Sequence, residues 1–107
     1  MKELFPSEEE VWQALAGILD PEFGLNIVDL GLIYSVSCIR SEIAVVMTLT
    51  TPSCPAGSWI YEGVKTALLD LPGATQVNVN LVFDPPWTAE MLSDNARRQL
   101  GGSQVKW

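Results

Sequence analysis

Leu32-Ile33-Tyr34-Ser35-Val36-Ser37-Cys38-Ile39-Arg40-Ser41-Glu42-Ile43-Ala44-Val45-Val46-Met47-Thr48-Leu49 reads as a hairpin, with strands over 32–39 and 42–49 around Arg40-Ser41. Setting Ile39 opposite Glu42 pairs Cys38 with Ile43, Val36 with Val45, Tyr34 with Met47 and Leu32 with Leu49. That row is apolar throughout. The other row pairs Ser37 with Ala44, Ser35 with Val46 and Ile33 with Thr48. A one-residue slip would turn the apolar set to the wrong side, so the pattern fixes the register. Arg-Ser is a poor two-residue turn, since such turns favour Asn or Gly.

Upstream, Ser7 and Glu10 stand at capping-box spacing, and Glu8, Glu9 and Glu10 suit the positive end of a helix dipole. Val11, Leu15, Ile18 and Leu19 recur at helical spacing, which predicts a helix ending at Asp20-Pro21. Downstream, Pro55 suits the first position of a second helix. Ile60, Val64, Ala67, Leu68 and Leu71 form its buried stripe, and Pro72-Gly73 stops it. A third strand over 75–83 alternates Val77, Val79, Leu81 and Phe83 with Gln76, Asn78 and Asn80. Asp84-Pro85-Pro86-Trp87 breaks it. Thr88 then caps a last helix over 89–100 that ends at Gly101-Gly102. The expected fold is an α+β two-layer domain, ordered helix-strand-strand-helix-strand-helix, with the helices on one face of a small mixed sheet. One domain over 1–107, with a core from about 7 to 101, accounts for the 107 residues.

Composition narrows the function. A net charge of −7 with six scattered basic residues disfavours nucleic acid and acidic membrane surfaces. No apolar run is long enough to span a bilayer, and Met1-Lys2-Glu3-Leu4 does not resemble a signal peptide, so a cytoplasmic location is expected. The chain has two cysteines and no histidine. That excludes Cys–His and Ser–His catalysis and any histidine-containing zinc site within one chain.

The chemistry points to Cys54, at the step from the second strand to the second helix. As the cap of that helix, its sulfur would meet free backbone N–H groups, which favour the thiolate. The hairpin register, continued past the strand ends, sets Thr51 beside Leu30 and Pro52 beside Asp29, so Asp29 is expected near the Cys54 turn. A carboxylate there disfavours a free thiolate, and a bound cation reverses that penalty. The same register puts Cys38 at the opposite end of the hairpin, roughly 20 Å from Cys54, too far for a disulfide. Each residue also has a plain structural reading. Cys54 and Cys38 are small packing residues, Asp20 ends a helix, Asp29 hydrogen-bonds its own turn, and Thr51 is an ordinary strand residue.

Four segments in order resemble the PaaD/SufT-like family of iron–sulfur cluster assembly domains, related to the targeting subunit of the eukaryotic cytosolic iron–sulfur machinery. They are Asp20-Pro21-Glu22, Asn26-Ile27-Val28-Asp29-Leu30-Gly31-Leu32, Leu49-Thr50-Thr51-Pro52-Ser53-Cys54-Pro55 and Asp84-Pro85-Pro86-Trp87. The resemblance implies a carrier or adaptor in the maturation of client iron–sulfur proteins, not an enzyme. Its reactive cysteine falls on Cys54, its acidic residues on Asp20, Glu22 and Asp29, and its threonine on Thr51. The implied cargo is iron or a transient iron–sulfur cluster, with Cys54 as the metal ligand. The implied partners are assembly proteins and client apoproteins. PaaD proteins carry a cysteine-rich extension, and this sequence stops at Trp107 without one, which favours the SufT-like reading.

A cluster usually takes four thiolates. Either a homodimer brings two Cys54 residues together, or a client or small thiol completes the shell. Two alternatives stand beside the carrier: an interaction adaptor that binds no metal, and a thiol-based redox protein. The last lacks both a histidine base and a nearby resolving cysteine.

Overall fold

The structure, a computed structural model, describes residues 5–51 and 57–99. Helix α1 (Glu8–Leu15) starts on the expected capping box: the Ser7 hydroxyl accepts from the Glu10 N–H, and the Glu10 carboxylate accepts from the Ser7 N–H. Its buried face is Val11 and Leu15. The helix stops one turn earlier than its apolar spacing predicts. Ala16 and Gly17 form a turn, and Leu19 instead bridges Asn26 in extended pairing and is 52% exposed.

Strands β1 (Ile33–Ile39) and β2 (Glu42–Met47) form the antiparallel hairpin, with Arg40 at φ 55 in the turn. The predicted register holds from Ile39↔Glu42 through Ser35↔Val46. It then shifts at a bulge around Tyr34, so Ile33 faces Met47 where the pattern placed Tyr34. A bulge adds one residue to one strand and re-aims the side chains beyond it. Here it frees the Tyr34 hydroxyl to donate to the Pro85 carbonyl at 2.8 Å.

Helix α2 (Gly57–Leu69) buries Ile60, Val64 and Leu68 of the expected stripe, together with Gly57, while Ala67 is half-buried and Leu71 lies past its end; it carries the chain back to β3 (Gln76–Leu81). Strand β3 pairs parallel to β2, giving a mixed sheet in the order β1-β2-β3. Helix α1 packs on β1, α2 on β3, and the helices on each other, so both cover the same face. Ile43, Val45, Met47 and Val77 point into that layer, while Ser35, Ser37, Ala44, Asn78 and Asn80 lie on the other face.

The last predicted helix is two pieces: a 3-10 turn over Ala89–Met91 and helix α3 (Asp94–Gln99). Thr88 precedes the first piece without a side-chain cap. Ser93 interrupts the run because it caps the second piece, its hydroxyl accepting from the Ala96 N–H at 3.0 Å. The predicted end at 100–102 lies outside the described residues, as does the Pro55 helix start.

Candidate functional site

Asn26–Gly31 is where the second and fourth sequence motifs meet. The hairpin ladder does not continue into it. Its last bond is from the Thr48 N–H to the Leu32 carbonyl, 2.8 Å, and the preceding residues coil into a helical turn closed by Leu30 N–H to Asn26 carbonyl at 3.1 Å. Asn26 caps that turn: its side-chain oxygen accepts from the Asp29 N–H at 2.8 Å, and its amide donates to the Asp29 carboxylate at 2.8 Å. The expected neighbour Pro52 lies outside the described residues, and on the Asn26–Gly31 side a capped turn takes the place of extended strand. The Asn-x-x-Asp spacing is the signal for it.

The Asp29 carboxylate also accepts from the Asn95 amide at 3.0 Å, and its carbonyl accepts from the Ser93 N–H at 2.8 Å. These bonds tie the turn to the start of α3. Hydrogen bonds from Asn95, Asn26 and Ser93 hold the Asp29 carboxyl below its ordinary value of 3.8, against a smaller opposing effect of burial. A lowered folded value means that Asp29 stabilises the fold above the unfolded value. That contribution falls away as pH drops below about 4, through the folded value. Asp29→Asn should therefore flatten the acid limb of the stability profile in that window. Urea midpoints measured from about pH 2.5 to 6 check this, and identical limbs for the two proteins refute it.

The Asp84-Pro85-Pro86-Trp87 segment closes over the same turn. The Trp87 indole N–H donates to the Leu30 carbonyl at 2.6 Å, and the Tyr34 hydroxyl reaches both Pro85 and the Met91 sulfur. Gly31 takes φ +81 with the Met91 backbone directly against it; a Cβ there would sit 2.7 Å from that of Met91. The second and fourth motifs are thus one interlocked structure. Residue spacing alone gives no sign that Trp87, Asn95 and Ser93 are its fasteners.

Asp20 is 1% exposed. Its carboxylate accepts from the backbone N–H of Glu22 at 2.7 Å and of Phe23 at 3.3 Å, closing the loop after α1. Its own N–H and carbonyl bond Leu25 and Gly24. Glu22 and Thr51 are exposed. Asp20 and Asp29 both hold backbone geometry, which is their structural reading. Cys54, its helix-cap geometry, its distance from Asp29 and its separation from Cys38 lie outside the described residues. Cys38 is half-buried. Burial pushes its thiol above the usual value, and Glu8 and Glu10 add to the shift, so it stays protonated and unreactive at neutral pH. Among the described residues no three Cys, Asp or Glu side chains gather as a metal site. No helix among them is long and apolar enough to cross a membrane.

Residues 8–81 match the family model described as iron-sulfur cluster assembly protein. The chain belongs to this family. Its role is accordingly in iron–sulfur cluster assembly. A family relative from Porphyromonas gingivalis, an Fe-S protein maturation auxiliary factor, is 38% identical over 100 residues, covering 92% of this chain and 95% of its own. The Fe-S protein maturation auxiliary factor SufT of Staphylococcus aureus is 44% identical over 87 residues, 80% of this chain and 99% of its own. A crystal structure of a domain of unknown function from Bacillus anthracis superposes with a TM-score of 0.84 at 35% identity, over 88% of this chain and 91% of that one. The α+β architecture is thus shared with that solved structure.

Proposed function

We propose that the protein is a non-catalytic adaptor that holds iron or a cluster transiently during maturation of client proteins, with Cys54 as its single thiolate contact. The observation that carries this reading is that the carboxylates of Asp20 and Asp29 are engaged in holding backbone loops. With no histidine in the chain and Cys38 kept protonated by burial, Cys54 is left as the thiol for the cargo. One thiolate falls short of the four that clusters usually take, so the other ligands come from a client or an assembly partner. Soft iron–sulfur cargo also prefers thiolate to carboxylate. A redox role fits less well, because the chain has no histidine base and its second thiol is half-buried.

The test is anaerobic reconstitution with iron and sulfide, followed by transfer to an apo-[4Fe–4S] acceptor protein. Wild type should raise the transfer rate over a protein-free control, and Cys54→Ala should return it to that control while keeping the wild-type fold by circular dichroism. Equal transfer by wild type and Cys54→Ala overturns the reading.

A further inference from the structure

We propose that the free edge of β3, with the groove between β3 and α2, binds an extended acidic–aliphatic segment of a partner protein as a fourth strand. This goes beyond the role given to Cys54 and uses none of the residues discussed for it. Among the described residues strand β3 ends the sheet order, so only its β2 side is paired. The N–H groups of Gln76 and Val82 point to β2, onto the Ser41 and Met47 carbonyls. By the two-residue alternation of a strand, the N–H and C=O groups of Val77, Val79 and Leu81 face outward. Among the described residues none of them finds a backbone partner on that side.

Exposed edges are normally blunted by charge, proline or a bulge. Strand β3 has none of these: Gln76-Val77-Asn78-Val79-Asn80-Leu81 is uncharged and runs in unbroken register with β2. Between α2 and the β2–β3 pair lies a cavity of about 260 Å³, lined by residues 44–46 and 77–80 of the sheet and by Tyr61 and Lys65 from α2. A backbone template next to a side-chain pocket is the arrangement by which strand addition gains affinity from the main chain and specificity from alternate side chains. An added strand would send every second side chain over Val77 and Val79, which suits an aliphatic residue.

Charge selects the rest of the segment. The Lys65 ammonium lies over the Tyr61 ring, 5.5 Å from its centre, and no ion pair to it is made among the described residues. It is a positive group at the groove of a protein of net charge −7. A carboxylate next to the aliphatic anchor complements it. A second copy of this chain would bring the same uncharged edge and another −7, with no carboxylate in the strand to meet Lys65.

The test titrates isotope-labelled full-length protein with an end-blocked peptide, Asp-Val-Thr-Val-Thr-Val-Asp, followed by amide shifts. Saturable shifts centred on Val77, Val79, Leu81 and Tyr61 are expected. Lys65→Glu should weaken binding by about tenfold and restore it toward a peptide with lysine in place of aspartate. Val79→Pro removes one outward N–H without touching the β2 ladder, and should weaken both peptides alike. If that variant misfolds, the charge exchange at Lys65 decides. No saturable binding at millimolar peptide, shifts elsewhere, or indifference to Lys65→Glu overturns the proposal. Shifts in β3 that depend on protein concentration without peptide also overturn it, and assign the edge to a second copy.

Discussion

Gly31→Ala is expected to cost about 2–5 kcal/mol of folding stability, the sum of a left-handed backbone forced on a residue with a Cβ and of overpacking against Met91. The position combines φ +81 with a Met91 backbone so close that any Cβ would press on its carbonyl. Backbone cannot rotate away as the end of a side chain can. Gly24 separates the two effects. It has φ +69, but a Cβ there would meet nothing within 4 Å. Gly24→Ala should thus cost only the conformational part, about 1–2 kcal/mol. Urea unfolding of both variants measures the difference. Equal losses would mean that the 84–91 segment does not press on the turn in solution.

Asp20→Ala should cost about 2–4 kcal/mol, because two backbone N–H groups lose a charged acceptor where water has little access. The carboxylate is buried and bonds Glu22 and Phe23. Asp20→Asn keeps an oxygen that can accept the same bonds and should lose less than half as much. The pair also tests what the residue is for. A ligand to iron would respond to loss of negative charge, so Asp20→Asn would impair cluster transfer while leaving stability largely intact. A loop clasp behaves the other way: Asp20→Ala unfolds early, and Asp20→Asn transfers normally.

The elements with strict periodicity are readable from the chain. The capping box of α1, the stripe of α2 and the hairpin pairing from Ile39↔Glu42 to Ser35↔Val46 all come from side-chain spacing. Extrapolation fails past the point where spacing carries information. Ile18 and Leu19 continue the helical period of α1, yet the loop held by Asp20 makes Leu19 an extended residue. Tyr34 fits the apolar row, yet the bulge sends its hydroxyl to Pro85. Ala89 to Gln99 reads as one helix, yet Ser93 and Asn95 are drawn to Asp29. The Leu19 miss is a short loop closed on itself, and the Tyr34 and Ser93 misses are long-range contacts overriding a local preference. The same holds for the motif residues. Their order along the chain reveals the family, but that the Asp29 turn and the Trp87 segment are one assembly depends on residues about 57 apart, such as Trp87 and Leu30.

The clasp between Trp87, Met91, Ser93 and the Asn26–Gly31 turn bears on where this protein ends as a physical object. The family model matches residues 8–81. The groups that lock the turn in place come after that stretch, at Pro85, Trp87, Met91, Ser93 and Asn95. The stretch that the family model matches is thus shorter than the stretch that folds together, which the Porphyromonas gingivalis relative spans almost whole. A fragment trimmed to the family-model match would keep the sheet but leave the Leu30 carbonyl and one side of Asp29 open to water. A boundary drawn at the end of that match would cut through a fastening, and a fusion or truncation of this protein should leave the stretch through Gln99 intact.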